Sequence, residues 1–349
     1  MAVLYVAGGA PGAGKTALCA ALAWRLAQTG RSPALIRPIR LDGGDARHPD
    51  AAFHALATLG GAASAPAPMP VAHDAVADAS LPARVREMVA AASAGKQLAI
   101  VEGMDGLGQG DPVATASSAI AEALGAPVAL VLDYRPDLGE AEARAASQLY
   151  GERLLGAVVN RVPGHARNDA ATRLSSAFQS RGVRILGLVP EDRRMAAPTV
   201  AQVAEHLGAE FRVLDSLDDP EGSLRTLVEH FMVGGAPLDN GAYVFSRREN
   251  KAALMRGDRP DLQMAALHTS TVCLILTEGQ EPIQYVTYHA DLRQVPMMMV
   301  GIHTLEVMEA LSDISERVTV HNPLKTERFA DLLDRHGDIS TLLAVAEGA

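Results

Sequence analysis

The chain has 349 residues, about twice the length of a typical domain, and therefore predicts two domains. Its composition, with 48% apolar and 21% charged residues, excludes a disordered chain or a fibre. A net charge of −10 disfavours a general nucleic-acid or anionic-membrane binder, and no apolar run approaches the roughly 20 residues that cross a bilayer. The amino terminus shows no signal-peptide pattern, so we expect a cytoplasmic protein that binds neither nucleic acid nor membrane.

Short apolar runs alternate with helical patterns over the first 210 residues or so. The runs predict strands, in chain order, at Val3–Ala7, Ala34–Ile39, Leu98–Val101, Val128–Leu132, Leu155–Val159 and Ile185–Val189. The first predicted helix is Thr16–Gln28. Because the runs are continuously apolar, they are typical of strands that helices cover on both faces of a parallel sheet. The pattern predicts an α/β domain with a doubly wound, mostly parallel sheet.

After Phe211 the pattern changes, and a polar, turn-rich stretch at residues 216–222 separates a second set of elements. We expect a boundary near residues 211–218, with one domain at 1–212 and a smaller α/β domain at 213–349. The predicted elements are an amphipathic helix at Leu224–Val233, a strand at Ala242–Phe245, a helix at Glu249–Met255, and strands at Val272–Leu276 and Pro296–Val300.

The strongest chemical motif lies between the first predicted strand and the first predicted helix. Its sequence, Gly-Ala-Pro-Gly-Ala-Gly-Lys-Thr, matches the phosphate-binding pattern G-x-x-x-x-G-K-[ST] in full. Gly9, Gly12 and Gly14 allow backbone conformations in which successive N–H groups point at a phosphate, and the following helix adds its positive N-terminal dipole. Lys15 is expected to neutralise the β- and γ-phosphate oxygens, and Thr16 to ligate Mg²⁺.

A second metal ligand is expected at the end of a neighbouring strand, because open α/β sheets bind their ligands at the carboxyl ends of the strands. Glu102 follows the third predicted strand and Asp133 follows the fourth, and the pattern alone does not separate them. Further acidic candidates follow the second strand, at Asp42, Asp45 and Asp50. The alternative for each is a solvated loop acid or a turn cap.

An ordered set of lesser motifs resembles the dethiobiotin synthetase-like branch of P-loop proteins over about the first 205 residues. Besides the P-loop, these motifs are Arg37–Ile39, Asp50–Phe53, Val101–Gly103, Val159–Val162 and Gly187–Asp192. A later segment, Gly257–Gln263, resembles the signature of DRTGG domains. Together the two parts are similar to the paired N-terminal domains of long bacterial phosphate acetyltransferases. The resemblance implies a P-loop NTPase domain followed by a smaller α/β DRTGG-like domain.

The resemblance also implies that the P-loop site takes ATP and Mg²⁺. It assigns Lys15 and Thr16 to the phosphates and the metal. It favours Glu102 over Asp133 as the second metal ligand and adds Asp50 as a third acidic candidate.

For the base of the nucleotide, the resemblance implies recognition of adenine by Asn160, with Pro190 and Glu191 lining the same end of the pocket. A side-chain amide suits the edge of adenine because it can donate and accept a hydrogen bond at once. A strand-end turn residue is the alternative for Asn160. A homodimer is implied too, because related P-loop proteins bury their nucleotide near a dimer interface.

The sequence departs from both enzyme families. Dethiobiotin synthetases carry a lysine before the proline where this chain has Arg37, and arginine differs from lysine in shape and hydrogen-bond geometry. Acidic residues at Asp42, Asp45 and Asp50 disfavour a negatively charged carbamate nearby. The chain also ends about where the acetyl-transferring domain would begin. We therefore expect neither dethiobiotin synthesis nor phosphate acetyltransferase activity.

The DRTGG-like segment supplies Asp258, Arg259 and Asp261 as candidate ligand-binding residues of the second domain. Arg259 could hold an anion while the flanking acids fix its guanidinium. The alternative is a turn that begins a helix, with Asp258 as the cap and Pro260 in the first helical position. The resemblance implies a regulatory or interaction module for a small-molecule ligand or a protein partner.

Two functions fit these observations. The first is a regulatory protein that binds and slowly hydrolyses Mg·ATP and passes its nucleotide state to the DRTGG-like domain or a partner. The second is an ATP-dependent, amide-forming ligase that activates a small carboxylate as an acyl phosphate. Lys15 and Arg37 are the candidate catalytic residues, and in the ligase Arg37 would hold the substrate carboxylate. A nucleotide-binding scaffold without turnover is a third possibility.

Overall fold

The computed structural model describes residues 2–42, 66–108, 110–235 and 241–345. The chain forms two compact units. The first comprises residues 1–192 together with 320–349, and the second comprises residues 193–319. No helix in the described ranges is both long enough and apolar enough to cross a bilayer.

The elements of both units are numbered along the chain. The strands are β1 (Ala2–Gly8), β2 (Ala34–Ile36), β3 (Ile39–Leu41), β4 (Met69–Val71), β5 (Leu98–Asp105), β6 (Val128–Asp133), β7 (Leu154–Val162), β8 (Ile185–Pro190), β9 (Glu210–Val213), β10 (His230–Val233), β11 (Lys251–Arg256), β12 (Thr271–Thr277) and β13 (Met297–Met299). The helices are α1 (Lys15–Gln28), α2 (Leu81–Ala92), α3 (Pro112–Ala123), α4 (Glu140–Tyr150), α5 (Arg167–Gln179), α6 (Arg193–Ala196), α7 (Val200–Leu207), α8 (Pro220–Arg225), α9 (Gly241–Phe245), α10 (Pro260–Leu267), α11 (Gln284–Leu292), α12 (Thr304–Ala310), α13 (Pro323–His336) and α14 (Ile339–Ala344). Short 3₁₀ segments lie at His73–Ala77, Gly151–Arg153, Gly164–Ala166 and Leu311–Arg317.

The first unit is built on a six-stranded sheet in the order β2-β5-β1-β6-β7-β8, in which every pairing is parallel. The middle of β1, β5 and β6 is buried, as expected for strands that helices cover on both faces. The chain moves from β1 towards one edge of the sheet and, after β5, continues on the other side of β1. The strand order therefore reverses at β1, which is the position where open α/β sheets bind their ligands.

The predicted single strand at Ala34–Ile39 is divided in the structure. β2 ends at Ile36, and β3 begins at Ile39 in a separate two-stranded parallel ladder with β4. Pro38 lies between them and cannot donate a backbone hydrogen bond to a neighbouring strand, so the sheet pairing stops there. This break leaves Arg37 at the carboxyl end of β2.

The second unit contains a five-stranded sheet in the order β10-β11-β12-β13-β9. β10 to β13 are parallel, and β9 pairs antiparallel with β13. Ala253 and Met255 pack into the core on one face of this sheet, while Ala252 and Leu254 pack into the core on the other. Two covered faces confirm the predicted α/β class for the smaller unit.

Three predicted elements of the second unit are wrong. Residues 249–255, predicted as a helix, contain most of strand β11. Of the helix predicted at Leu224–Val233, only the first two residues are helical, as the end of α8, and the range ends in strand β10. The Ala- and Leu-rich β11 has high helix propensity, but its burial between two strands and two helical layers overrides that preference. Residues 242–245, predicted as a strand, belong to helix α9, which buries Phe245 in the core.

The division into units also differs from the predicted domains, 1–212 and 213–349. The carboxyl-terminal helix α13 packs on α1 and β8 of the first unit. Arg25 of α1 lies 3.1 Å from Asp331, and Arg328 lies 2.6 Å from Asp192. Phe329 and other apolar residues of α13 are buried there, which explains why this segment returns to the first unit.

Candidate functional site

The glycine-rich loop between β1 and α1 has the backbone conformation that phosphate binding requires. Gly12 and Gly14 have φ angles of 76° and 112°, in a region that favours glycine. Gly14 is the N-cap residue of α1. Because it has no side chain to cap the helix, the first backbone N–H groups of α1 receive no side-chain acceptor from the N-cap position. The amide of Gly9 donates to the carbonyl of Val131 over 2.8 Å and ties the loop to β6. The loop can therefore present its amides to an anion.

We expect Gly14→Ala to destabilise the first unit more than an ordinary glycine substitution. A Cβ at Gly14 would lie 2.4 Å from Nδ2 of Asn160, in addition to the strain of a positive φ. The expected loss is roughly 2–3 kcal/mol in the free energy of unfolding, measured by denaturant titration. Gly95→Ala is the matched control, because Gly95 has a φ of 77° but open space around it. Equal losses in the two variants would contradict the close contact with Asn160.

Lys15 is buried and forms an ion pair with Asp105, the last residue of β5. The carboxylate of Asp105 fits there because residue 8 is glycine, and a Cβ at Gly8 would lie 2.2 Å from it. Asp105 was not among the predicted site residues. Its signal was its position three residues after Glu102, which keeps it at the same end of the same strand.

Thr16 and Glu102 lie together, as predicted for a metal site. The Thr16 hydroxyl donates to Oε1 of Glu102 over 2.9 Å, and Nε of Arg37 lies 4.0 Å from the same oxygen. Glu102 is only 4% exposed, and its other oxygen, Oε2, is buried and has no hydrogen-bond partner among the described residues. A buried carboxylate oxygen without a partner is costly, and a cation beside it would remove that cost.

These residues fit Mg²⁺. The ion binds hard oxygen ligands, and it commonly uses one or two protein groups together with phosphates and water. Thr16 and Glu102 supply two such oxygens. No three His, Cys, Asp or Glu side chains come together as a metal-binding group within the described ranges.

A buried hydroxyl network supports the end of β5 that carries Glu102 and Asp105. The Tyr5 hydroxyl lies 3.0 Å from Oγ of Ser117 and accepts from the backbone N–H of Met104 over 3.3 Å. Tyr150 donates to the same Ser117 oxygen over 3.3 Å, and burial raises the pKa of Tyr150 to about 12. Gly103 is required beside this network, because a Cβ there would lie 2.3 Å from the Tyr5 ring.

Asn160 and Arg161, at the end of β7, both contact the phosphate-binding loop. Nδ2 of Asn160 donates to the carbonyl of Ala13 over 3.0 Å, and its Oδ1 accepts from the N–H of Arg161 over 2.9 Å. Arg161, with a φ of 57°, donates to the carbonyl of Gly12 over 3.0 Å and to Asp133 over 2.7 Å. Asp133 is thus the partner of an arginine, whereas Glu102 is the carboxylate beside Thr16. The adenine contact of Asn160 stays a prediction.

The remaining predicted site residues lie at the end of β8, beside Glu102, or outside the described residues. Pro190 ends β8, and the N–H of Glu191 donates to the carbonyl of Val162 over 3.0 Å, which holds both residues beside the end of β7. Arg37 lies within the cluster through its contact with Glu102. Asp45 and Asp50 lie outside the described residues, so the third acidic ligand stays a prediction.

In the second unit, the predicted charged residues form local ion pairs. Arg259 makes two hydrogen bonds to Asp261, of 2.9 and 2.7 Å, and Arg256 pairs with Asp258 over 2.6 Å. The arginine partners lower the pKa of both carboxyl groups. Pro260 occupies the first position of α10, as predicted, but the N-cap residue is Arg259 and not Asp258. Of the two predicted acids, Asp261 fixes the guanidinium of Arg259, whereas the carboxylate of Asp258 pairs with Arg256. The ligand of Arg259 remains a prediction.

Family profiles match both parts of the chain. The profile of the AAA domain family matches residues 2–199, more than half of the chain, and the profile of the DRTGG domain matches residues 202–314. The DRTGG match lies within the second unit, residues 193–319, and stops before α13.

Three curated relatives are similar to this chain over parts of their length. The phosphate acetyltransferase of Pseudomonas putida is 24% identical over 95% of this chain and 50% of the relative. That of Nitratidesulfovibrio vulgaris is 26% identical over 64% of this chain and 33% of the relative. The hydrogenobyrinate a,c-diamide synthase of Mycobacterium bovis is 35% identical over 30% of this chain and 25% of the relative. The chain thus spans half or less of the length of these relatives.

Proposed function

Because the chain belongs to the AAA domain family, in its dethiobiotin synthetase-like form, and carries a DRTGG domain, we propose that it binds Mg·ATP and acts as a regulator. Nucleotide binding at the P-loop would be coupled to a ligand or partner of the second unit. Slow hydrolysis of ATP would reset this state.

The observation that carries the proposal is the buried Oε2 of Glu102, which has no hydrogen-bond partner in the part of the chain that the structure describes, while Oε1 of the same carboxylate accepts from the Thr16 hydroxyl. Thr16 and Glu102 would hold a Mg²⁺ ion, which would supply positive charge against the phosphates of the nucleotide. The other contacts to the phosphates would come from residues of the chain. The loop amides and Lys15 hold the phosphates, and Arg161 and Asn160 fix the carbonyls of Gly12 and Ala13 so that the amides face the site.

The test is calorimetric titration of the full chain with ATP and GTP, each in Mg²⁺ and in EDTA. We expect ATP binding that strengthens in Mg²⁺, and a slow release of phosphate measured over the same period. No binding of either nucleotide would overturn the proposal. Preference for GTP would keep the P-loop site but overturn the adenine assignment of Asn160.

We expect Glu102→Gln to reduce the gain in ATP affinity that Mg²⁺ provides by about tenfold or more. Glutamine keeps an oxygen that can accept from Thr16, but it removes the charge that favours the metal. Asp133→Asn is the matched control, because it removes the competing carboxylate that the structure pairs with Arg161. Titrations in Mg²⁺ and EDTA measure both effects. A larger loss in Asp133→Asn would assign the metal to Asp133 instead.

A second candidate function is an ATP-dependent, amide-forming ligase. It is supported by the 35% identity to a diamide synthase and by the position of Arg37 beside Glu102, where Arg37 could hold a substrate carboxylate near the phosphates. In such a reaction a carboxylate oxygen would attack the γ-phosphorus of ATP, releasing ADP and forming an acyl phosphate. Release of ADP that is stimulated by particular carboxylic acids would favour the ligase, and unstimulated release would favour the regulator.

The regulator would have two kinds of partner: a ligand or protein at the second unit, and a second copy of the chain. We propose that Asp258, Arg259 and Asp261 contribute to the ligand or partner contact of the second unit, where Asp261 holds the guanidinium of Arg259 in one orientation and Asp258 pairs with Arg256. The homodimer implied by the resemblance remains a prediction. Sedimentation equilibrium with and without Mg·ATP tests it.

A further inference from the structure

A second concave site lies at the free edge of β8 in the first unit. The cleft has a volume of about 490 Å³, within the range of roughly 300–1,000 Å³ that is typical of small-molecule sites. It is lined by the start of α5, by β8, and by the end of α13 with the residues that follow it. Among the described residues that line it, none belongs to the P-loop site.

The floor of the cleft is formed by two backbone segments that approach very closely. Gly187 of β8 pairs with Gly337, and a Cβ at Gly187 would lie only 3.0 Å from the Cα of Gly337. The N–H of Asp338 donates to the carbonyl of Leu186 over 2.6 Å. Because glycine occupies both positions, no side chain fills the space above the floor, and the cleft stays open.

The walls of the cleft carry positive charge that lacks a carboxylate partner. Nη2 of Arg167 lies 2.6 Å from Nδ1 of His336, and a guanidinium can only donate to that nitrogen. Arg335 forms no ion pair or hydrogen bond with any residue in the described ranges. The acid of the cleft, Asp338, lies 3.1 Å from Arg184 and accepts from hydroxyl groups. Two arginines therefore line one concavity, and neither has a carboxylate counterion among the described residues.

The pKa of His336 reflects this positive charge. Its pKa is lowered by burial and then by the charges of Arg167, Arg335 and Arg328, of which Arg328 is paired with Asp192. The ring is therefore neutral near pH 7, and its Nδ1 is the acceptor. An anion in the cleft would offset the arginine charges and raise the pKa of His336 again.

We propose that this cleft binds a small organic phosphate, whose dianionic group accepts hydrogen bonds from Arg167 and Arg335 and whose organic part lies against Ile185 and Leu188. A phosphate monoester carries a charge near −2 at neutral pH, which balances the two arginines. Guanidinium groups present forked N–H donors that match phosphate oxygens. The half-buried apolar side chains of β8 favour an organic ester over inorganic phosphate.

The test uses phenyl phosphate as the probe and the C2–H signals of histidine in the full chain, with the His336 signal assigned by His336→Gln. We expect a saturable shift of the His336 signal and a rise in its pKa in the presence of the probe. Arg167→Ala and Arg335→Ala should each weaken binding about tenfold or more. Arg86→Ala is the matched control, because Arg86 is an exposed arginine on α2.

The outcomes separate this site from the P-loop. Binding of phenyl phosphate should persist in Lys15→Ala, and its loss there would place the probe at the P-loop and overturn the proposal. An unshifted His336 signal, or equal affinity in Arg335→Ala and Arg86→Ala, would overturn it as well. Benzoate should bind more weakly than phenyl phosphate, and equal affinity would contradict the assignment to a dianion.

Discussion

Replacing Lys15 with alanine is expected to weaken the binding of Mg·ATP about a hundredfold. The ammonium of Lys15 is buried at the end of the glycine-rich loop, where a hydrogen bond to a phosphate oxygen has little competition from water. Loss of such charged hydrogen bonds costs about 1.5–3 kcal/mol, and the upper end of that range corresponds to about a hundredfold. Calorimetric titration of the native chain and the variant measures the change.

Two controls separate the role of the lysine from its local structural contact. Asp105→Asn removes the ion pair of Lys15 but leaves the ammonium available to a phosphate. We expect this variant to bind Mg·ATP at least as tightly as the native chain, because the nucleotide no longer competes with a carboxylate. Lys96→Ala, at a half-buried lysine outside the site whose Nζ donates to Oγ of Ser32 over 2.7 Å, should leave ATP binding unchanged. An Asp105→Asn variant as weak as Lys15→Ala would show that the ion pair, and not a phosphate contact, matters.

Replacing Lys325 with methionine is expected to stabilise the first unit at neutral pH. Lys325 lies on α13, is 0% exposed, and has its pKa lowered by burial from 10.5 to about 7. Between these pH values the unfolded chain holds a proton that the folded chain has released, so the native protein gains stability as the pH rises. The slope is at most about 1.4 kcal/mol per pH unit. Below pH 7 the folded state holds a charged, buried ammonium, and its full cost remains.

The measurement is the difference in the free energy of unfolding between Lys325→Met and the native chain from pH 6 to pH 10. Methionine has a similar length and no charge, so the variant should be more stable by about 1–3 kcal/mol near pH 7, and the difference should shrink towards pH 10. Lys96→Met, at a half-buried lysine whose Nζ donates to Oγ of Ser32, should show no such pH dependence. A constant difference across this range would contradict a lowered pKa for Lys325.

The sequence predicted the first sheet well because burial on both faces leaves continuous apolar runs in β1, β5 and β6. It failed where local preference and tertiary context disagree. β11 contains Ala252, Ala253, Leu254 and Met255, which favour a helix, but the sheet of the second unit places them in a buried strand. The return of α13 to the first unit was not predicted either, because a helical pattern does not specify which core its apolar face covers.

At the site, the pattern G-x-x-x-x-G-K-[ST] identified the loop because Gly12 and Gly14 adopt positive φ angles that favour glycine. The choice between Glu102 and Asp133 needed the structure, since both end buried strands and only contacts distinguish them. Asp105 was missed because its partner, Lys15, is 90 residues away in the sequence. Arg167 and Arg335 share a cleft for the same reason: distant segments meet at the edge of β8.

The chain leaves the first unit after residue 192 and returns to it at residue 320, so the second unit is an insertion between two pieces of one core. A protease that cut once within residues 193–319 would therefore yield two fragments that stay associated, because the packing of α1 against α13 holds them together. A truncation near residue 212 would instead strip α13 from α1 and leave the apolar face of α1 exposed to water. Fragments intended to fold alone should accordingly keep residues 193–319 as one piece and join 1–192 to the carboxyl-terminal helices through a short linker.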